Sequence, residues 1–375
     1  MTIIRSVRPR PALACALLAA AALALASCGG GSSQKRDASG GPPRSFMMGI
    51  STLPRELNTK SYADAFRLAG ENGEMVLIQR TPPWSEFLPG ADVGEDTAKT
   101  TAAEKQAAAD GHLRTFFAID PTNGETGRDR LAGLPSSLTG AHFDDERVRQ
   151  AFVSYARYVA LNYKPAYIAL GVEMNLYYNK NKQDLENFES LYAEAYDAVK
   201  EASADTQVTV TFQYEDLQGI LPTQDKHFAD WQLIKAFGAK LDVVAISTYP
   251  SFAFKTAAAI PDNYYSQLRA FTTQPIVIAE MGYASAAGPK GLNSGTEQDQ
   301  DAYLKRALAD AQALKMPFVI WFAGWDPSYA KDTALGVFQH IGLLRDDNTP
   351  KPAWASWTGA AGRAYEPPPT PAAAG

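Results

Sequence analysis

The stretch Ala166-Tyr167-Ile168-Ala169-Leu170-Gly171-Val172-Glu173-Met174-Asn175 reads as a strand that ends abruptly in an acid. A short unbroken apolar run fits a strand covered on both faces, as in the parallel sheets of α/β proteins. A carboxylate at its end is costly to desolvate without a partner or a task. The pattern recurs in Pro275-Ile276-Val277-Ile278-Ala279-Glu280-Met281-Gly282-Tyr283, about a hundred residues on. Two buried-type strands, each closed by a glutamate, set the question of how the chain brings them together.

Working outward, further strand candidates fall at intervals. In chain order they cover residues 46–52, 75–79, 114–119, 167–172, 208–213, 243–248, 276–279 and 318–322. Helical periodicity fills most gaps. Tyr62, Phe66 and Ala69 share one face, as do Leu185, Phe188, Leu191, Tyr192, Ala195 and Val199, and later Tyr303, Leu304, Ala307, Leu308, Ala311 and Leu314. Asp144-Asp145-Glu146 opens a helix through Val148, Phe152, Tyr155 and Val159, and acids suit the positive end of its dipole. The Ala-rich residues 97–110 supply the helix between strands two and three. Eight alternating units predict an α/β fold, a single (β/α)8 TIM barrel. The rival, an open doubly wound sheet, lacks its glycine-rich phosphate turn; Ser51-Thr52-Leu53-Pro54 stands there instead.

The barrel is expected over residues 46–362. Residues 1–27 form a leader, with Arg5, Arg8 and Arg10 before a short Ala/Leu-rich run. Its end, Leu25-Ala26-Ser27-Cys28, resembles the lipobox of bacterial lipoprotein signal peptides. That resemblance implies a lipid on Cys28 and an extracytoplasmic, membrane-anchored location, in the periplasm or on the cell surface. Residues 28–45 are a Gly/Ser-rich tether with a reach of roughly 20–25 Å, and residues 363–375 a Pro/Ala tail. Removing three arginines and no acids takes the formal charge from −6 to −9. An acidic chain argues against nucleic acid as a partner. Cys15 leaves with the leader, so no disulfide holds the fold. His112, His142, His227 and His340 are dispersed and no Gly-x-Ser-x-Gly elbow is present, so neither a catalytic metal nor a serine nucleophile is expected, nor any cofactor.

Active sites of such barrels lie at the carboxyl ends of the strands. Found there are Arg80, Asp120, Glu173, Gln213 with Glu215, Tyr249, Glu280, and Trp321 with Trp325 and Asp326; Asn175 follows Glu173 by two residues. Strands four and seven face each other across an eight-membered barrel. Two carboxyl groups about 5–5.5 Å apart cleave a glycosidic bond with retention, one attacking the anomeric carbon and the other donating a proton to the leaving oxygen. Tyr249 and Arg80 are candidate donors to the nucleophile, and Trp321 a flat face for a pyranose.

The acid at strand four, Tyr at strand six, Glu at strand seven and Trp at strand eight resemble the retaining barrel glycosidases. Gly171-Val-Glu-Met-Asn175, Ile246-Ser-Thr-Tyr-Pro250 and Ile278-Ala-Glu-Met-Gly-Tyr283 look most like endo-β-1,4-galactanases and their relatives, as does the closing Gly342-Leu-Leu-Arg-Asp-Asp-Asn-Thr-Pro-Lys-Pro-Ala-Trp354. By that likeness Glu173 is the acid/base, Glu280 the nucleophile and Tyr249 its orienter. A monomeric retaining hydrolase of β-linked poly- or oligosaccharides is the implied function. One position departs: those enzymes carry Asn before the acid/base, and this chain has Val172, which cannot bond a sugar 2-hydroxyl. Either Asn175 or Gln213 substitutes, or the substrate differs at carbon two, or turnover is slow. Two other readings remain: a non-catalytic carbohydrate-binding lipoprotein on a decayed glycosidase barrel, and a structural cell-envelope lipoprotein with no sugar site.

Overall fold

In the computed structural model residues 40–367 are described; the expected leader, Cys28, most of the tether and the end of the tail lie outside them. The strands are β1 Met47–Ser51, β2 Met75–Arg80, β3 Arg114–Ile119, β4 Tyr167–Ala169, β5 Gln207–Thr209, β6 Thr211–Gln213, β7 Val244–Thr248, β8 Ile276–Met281 and β9 Phe318–Trp321. Their order is β5-β4-β3-β2-β1-β9-β8-β7-β6, and every ladder between them is parallel. Only Val210 separates β5, which pairs with β4, from β6, which pairs with β7. These two segments are halves of one fifth strand, so the nine close into the expected eight-stranded barrel. Barrel strands six, seven and eight are therefore β7, β8 and β9.

The helices are α1 Thr59–Asn72, α2 Glu95–Asp110, α3 Glu146–Tyr163, α4 Met174–Lys180, α5 Leu185–Ala202, α6 Tyr214–Leu217, α7 Glu297–Ala313 and α8 Pro352–Ala361. Their starts follow local chemistry. Asn58, Asp145 and Thr296 each accept a backbone N–H of the first turn, capping α1, α3 and α7. The crossovers after β6 and β7 hold no long helix. Pro222, Pro250, Pro261 and Gly219 interrupt them, leaving α6 and a series of 3-10 turns. Aromatic packing fills that wall instead, with Trp231 stacked on Phe271 at 4.6 Å.

Strand alternation sorts the core into two layers. Met75, Leu77, Phe116, Ala245, Val277 and Ile320 fill the lumen, while Val76, Ile78, Phe117, Ile246, Ile278 and Val319 face the helices. The packed body runs a little past the expected 46–362. Arg44 bridges to Tyr365 in register and places its guanidinium, almost wholly buried, on Glu74.

Candidate active site at the barrel mouth

Glu280 enters the lumen because β8 bulges. Opposite β7, Ile246 pairs with Ile278 but Ser247 pairs with Glu280, so Ala279 is an extra residue on β8. Simple alternation from Ile276 and Ile278 aims residue 280 at the helix layer. The bulge resets the phase: Ala279 lies in the lumen, Met281 faces the helices, and Glu280 is left on the mouth side. Glu280 is only 5 % exposed, and Oε2 accepts from Tyr249 Oη at 2.9 Å.

Glu173 is placed differently. β4 ends at Ala169, and Glu173 adopts a left-handed conformation at φ 50° before α4 begins. Such a conformation costs a non-glycine residue of order 1 kcal/mol and persists where surrounding contacts enforce it. Thr211 Oγ1 accepts the Glu173 amide at 2.8 Å. Gly171 is needed just before, since a Cβ there would stand 2.7 Å from Met174 and 3.0 Å from Phe188. Oε1 accepts from Ser247 Oγ at 2.6 Å, and Oε2 from Arg128 Nε at 2.9 Å. Ser247 is thus a hinge between the two acids. Its hydroxyl holds Glu173, and its backbone lies beside that of Glu280, where neighbouring strands run about 4.8 Å apart.

Arg128 carries the site's positive charge. It is 6 % exposed, and Nη1 bonds Asp120 Oδ1 at 2.7 Å and Thr122 Oγ1 at 3.0 Å. Gln79 Nε2 donates to Asp120 Oδ2 at 2.9 Å. Burial, then the charge of Glu173, push Glu280 up to about 8, against the opposing pull of Tyr249 and Arg128. Burial therefore favours the protonated form of Glu280, while Glu173 is ion-paired to Arg128.

Of the residues expected at the mouth, Glu173, Glu280, Tyr249 and Asp120 converge. The other seven have structural partners. Arg80 follows Val76 and Ile78 toward the helix layer and pairs with buried Glu104 of α2; Gln79, one residue earlier, faces the lumen. Trp321 likewise follows Val319 outward. It is fully buried, with its indole on the carbonyl of Ile341 at 2.8 Å, and is no sugar platform. Phe322, the next residue, is half-buried and packs 5.9 Å from Tyr249 between ring centres. Glu215 is fully buried behind the barrel, accepting from Thr248 Oγ1 at 2.7 Å and from the Tyr249 amide at 3.0 Å. Asn175 clamps both backbone groups of Gln213, at 2.8 and 3.0 Å, and Gln213 caps α6 through Asp216 N at 2.6 Å. Neither side chain is free to replace an Asn at position 172. Val172 itself is fully buried in the lumen cluster. Trp325 bonds Asn348 and Asp326 pairs with Lys351, both at the barrel's flank.

Sequence reasoning missed Arg128, Ser247, Thr211 and Gln79. Period-two alternation in Met75-Val-Leu-Ile-Gln-Arg80 was enough to choose Gln79 over Arg80, and in Val243-Val-Ala-Ile-Ser247 to find Ser247. Arg128 gave no local signal; it reaches Glu173 from a loop 45 residues upstream.

Among the described residues, no group of three His, Cys, Asp or Glu is placed to hold a metal ion, and no helix is long and apolar enough to cross a membrane.

Residues 159–318 match the model of Glycosyl hydrolase family 53, a span that contains both Glu173 and Glu280. No curated protein matches the chain. Among solved structures, the exo-β-1,4-mannosidase Op5Man5 from Opitutaceae bacterium strain TAV5 superposes with a TM-score of 0.64 at 15 % identity. The alignment covers 87 % of this chain but only 60 % of the mannosidase, so the chain spans less than two thirds of that protein's length. GH5_18 from Bifidobacterium longum subsp. longum, in complex with Manβ1-4GlcNAc, gives 0.62 at 14 % identity, covering 86 % of this chain and 80 % of its own. GH5_18 from Streptomyces cattleya, in complex with GlcNAc, gives 0.60 at 17 %, covering 85 % and 80 %. At these identities the likeness is one of fold.

Proposed function

We propose that the protein is a retaining glycoside hydrolase acting on β-linked oligo- or polysaccharides. The observation that carries this reading is the pair Glu173 and Glu280, delivered from barrel strands four and seven to either side of Ser247. The family match across both glutamates supports it, as do neighbours whose names specify β-mannoside and β-glucoside chemistry.

In the reaction, Glu280 attacks the anomeric carbon as Glu173 gives a proton to the departing oxygen. Glu173 then takes a proton from water, which releases the sugar from Glu280. Tyr249, donating to Glu280, aims the nucleophile and stabilises its charge. The attacking form needs the proton on Glu173, whereas burial favours it on Glu280. Substrate binding has to favour the proton on Glu173, against the ion pair that Arg128 makes with it.

That ion pair, with Val172 buried in the lumen, favours a second reading: a binding protein that keeps the cleft and has lost turnover. Hydrolysis of aryl β-glycosides separates the two. The first reading expects turnover that Glu280→Gln and Glu173→Gln each abolish, with azide rescuing Glu173→Ala alone. Undiminished turnover in either Gln variant would exclude the assigned roles, and sugar binding without turnover in the wild type would establish the second reading.

We further propose a monomer tethered to a bacterial membrane outside the cytoplasm by lipid on Cys28. Fractionation tests this: Cys28→Ala should move the protein from membrane to soluble fractions, and unchanged membrane retention would refute the anchor.

A further inference from the structure

We infer that the barrel mouth takes the end of a sugar chain rather than its middle, because two loops wall off one side of it. The inference rests on the sugar-cleaving reading above and adds the mode of attack.

The 3-10 turn Ala334–Phe338, in the loop after β9, lies against the turn Gly124–Thr126, in the loop after β3. β9 and β3 are not neighbours; β1 and β2 stand between them. Loops rising from those two strands meet by reaching across the side of the mouth that β1 and β2 occupy. Each also reaches a catalytic carboxylate. The Phe338 ring centre is 4.9 Å from that of Tyr249, whose hydroxyl holds Glu280. The other turn leads within two residues to Arg128 on Glu173, and Lys180, at the end of α4, donates to Thr126 O at 3.2 Å. Leu53, just after β1, packs with Phe252, Phe322 and Phe338 against the cluster of Tyr249, Ala323 and Ile341.

The wall is fastened rather than loose. Asn293 Nδ2 donates to Val337 O at 2.6 Å, and His340 O accepts from Ser285 N at 3.0 Å and Oγ at 2.8 Å. Lys351, itself buried, reaches Asp326 at 2.7 Å and the same His340 carbonyl at 3.3 Å. A polysaccharide cut in its interior must continue on both sides of the scissile bond, which requires a groove open at both ends. Here the β9-β1-β2-β3 side is closed, and Glu280 retains only 5 % exposure. A terminal residue fits such a pocket; an internal one does not.

The test follows viscosity and products together, using soluble β-1,4-galactan, β-1,4-mannan and β-glucan with their matching oligosaccharides. Release of one small sugar while viscosity holds, with at least tenfold higher kcat/KM on oligosaccharides, is the expected result. An early fall in viscosity with a ladder of products would overturn the inference. Loosening the wall, by Asn293→Ala with Phe338→Ala or by excising residues 335–337, should raise the polymer-to-oligosaccharide activity ratio several-fold; an unchanged ratio in both folded variants would also overturn it. If the wild type binds sugar without turnover, stoichiometry on the polymer decides: one protein per chain end supports the wall, and many per chain refute it. Neither hydrolysis nor binding of any β-glycan would overturn the sugar reading, and this inference with it.

Discussion

Arg128 donates through Nε to Glu173 Oε2 over 2.9 Å, so the expected acid/base of the site is bound to a buried cation. The same guanidinium neutralises Asp120, and it lowers the cost of charging Glu280. Two carboxylates therefore share one positive charge in a covered site, with a third carboxyl group, Glu280, close by. The proton count of the glutamate pair then decides when the site can act.

The pH profile should report that count. One proton on the pair is required, and Glu280 is pushed up to about 8 by burial and by Glu173. Activity should fall as pH rises through about 8, where the last proton leaves. Arg128→Met removes a cation that favours the charged forms, so the alkaline limb should move to higher pH. A limb that stays in place, measured as kcat/KM against pH, would show that Arg128 does not govern the pair.

Stability should depend on pH in the opposite sense from an ordinary ion-paired acid. The folded-state value of Glu280 lies above its unfolded value near 4.5, so the folded state holds more protons between the two and stability drops as pH rises through that window. Glu280→Gln removes the penalty. The variant should be more stable than wild type by roughly 1–3 kcal/mol at pH 8, with the gap closing near pH 5. Equal melting temperatures at both pH values would contradict this.

Arg80 belongs to the scaffold, joined to Glu104, which also accepts from the hydroxyls of Tyr62 and Tyr163. Glu104→Ala takes the partner from a guanidinium that is a quarter exposed and the acceptor from two tyrosine hydroxyls, which costs about 1–3 kcal/mol. Denaturant unfolding should show that loss, while KM of the surviving folded protein stays within twofold. A KM rise of tenfold or more would return Arg80 to the substrate.

Adjacent aromatics should separate packing from binding. Trp321→Ala opens a cavity in the outer core and should cost about 3–5 kcal/mol. Phe322, half-buried and 5.9 Å from Tyr249 between ring centres, should instead raise KM when changed to Ala, with a much smaller stability loss. If the two variants exchanged these effects, the inward and outward assignments would be reversed.

These assignments show what the sequence could and could not reveal. The barrel was readable because eight apolar runs alternate with helical stripes, and Glu173, Glu280 and Tyr249 because each closes such a run. Orientation at strand ends was less accessible. Reading every strand-terminal polar residue as facing the mouth ignored the side-chain period, which sends Arg80 and Trp321 outward and Gln79 and Ser247 inward. Glu280 is the converse case: the period alone would turn it away, and only the bulge at Ala279, set by pairing with β7, turns it in. Arg128 depends on a loop crossing the mouth, a tertiary event with no local signature.

The most direct test is to trap the covalent intermediate. Purified protein incubated with 2-deoxy-2-fluoro β-glycosides bearing activated leaving groups should be inactivated and gain the mass of one sugar. Proteolysis should place that mass on the peptide containing Glu280, and Glu280→Gln should stay unlabelled. Wild-type protein that hydrolyses β-glycosides yet carries its label on another residue, or that neither hydrolyses nor labels, would contradict the account.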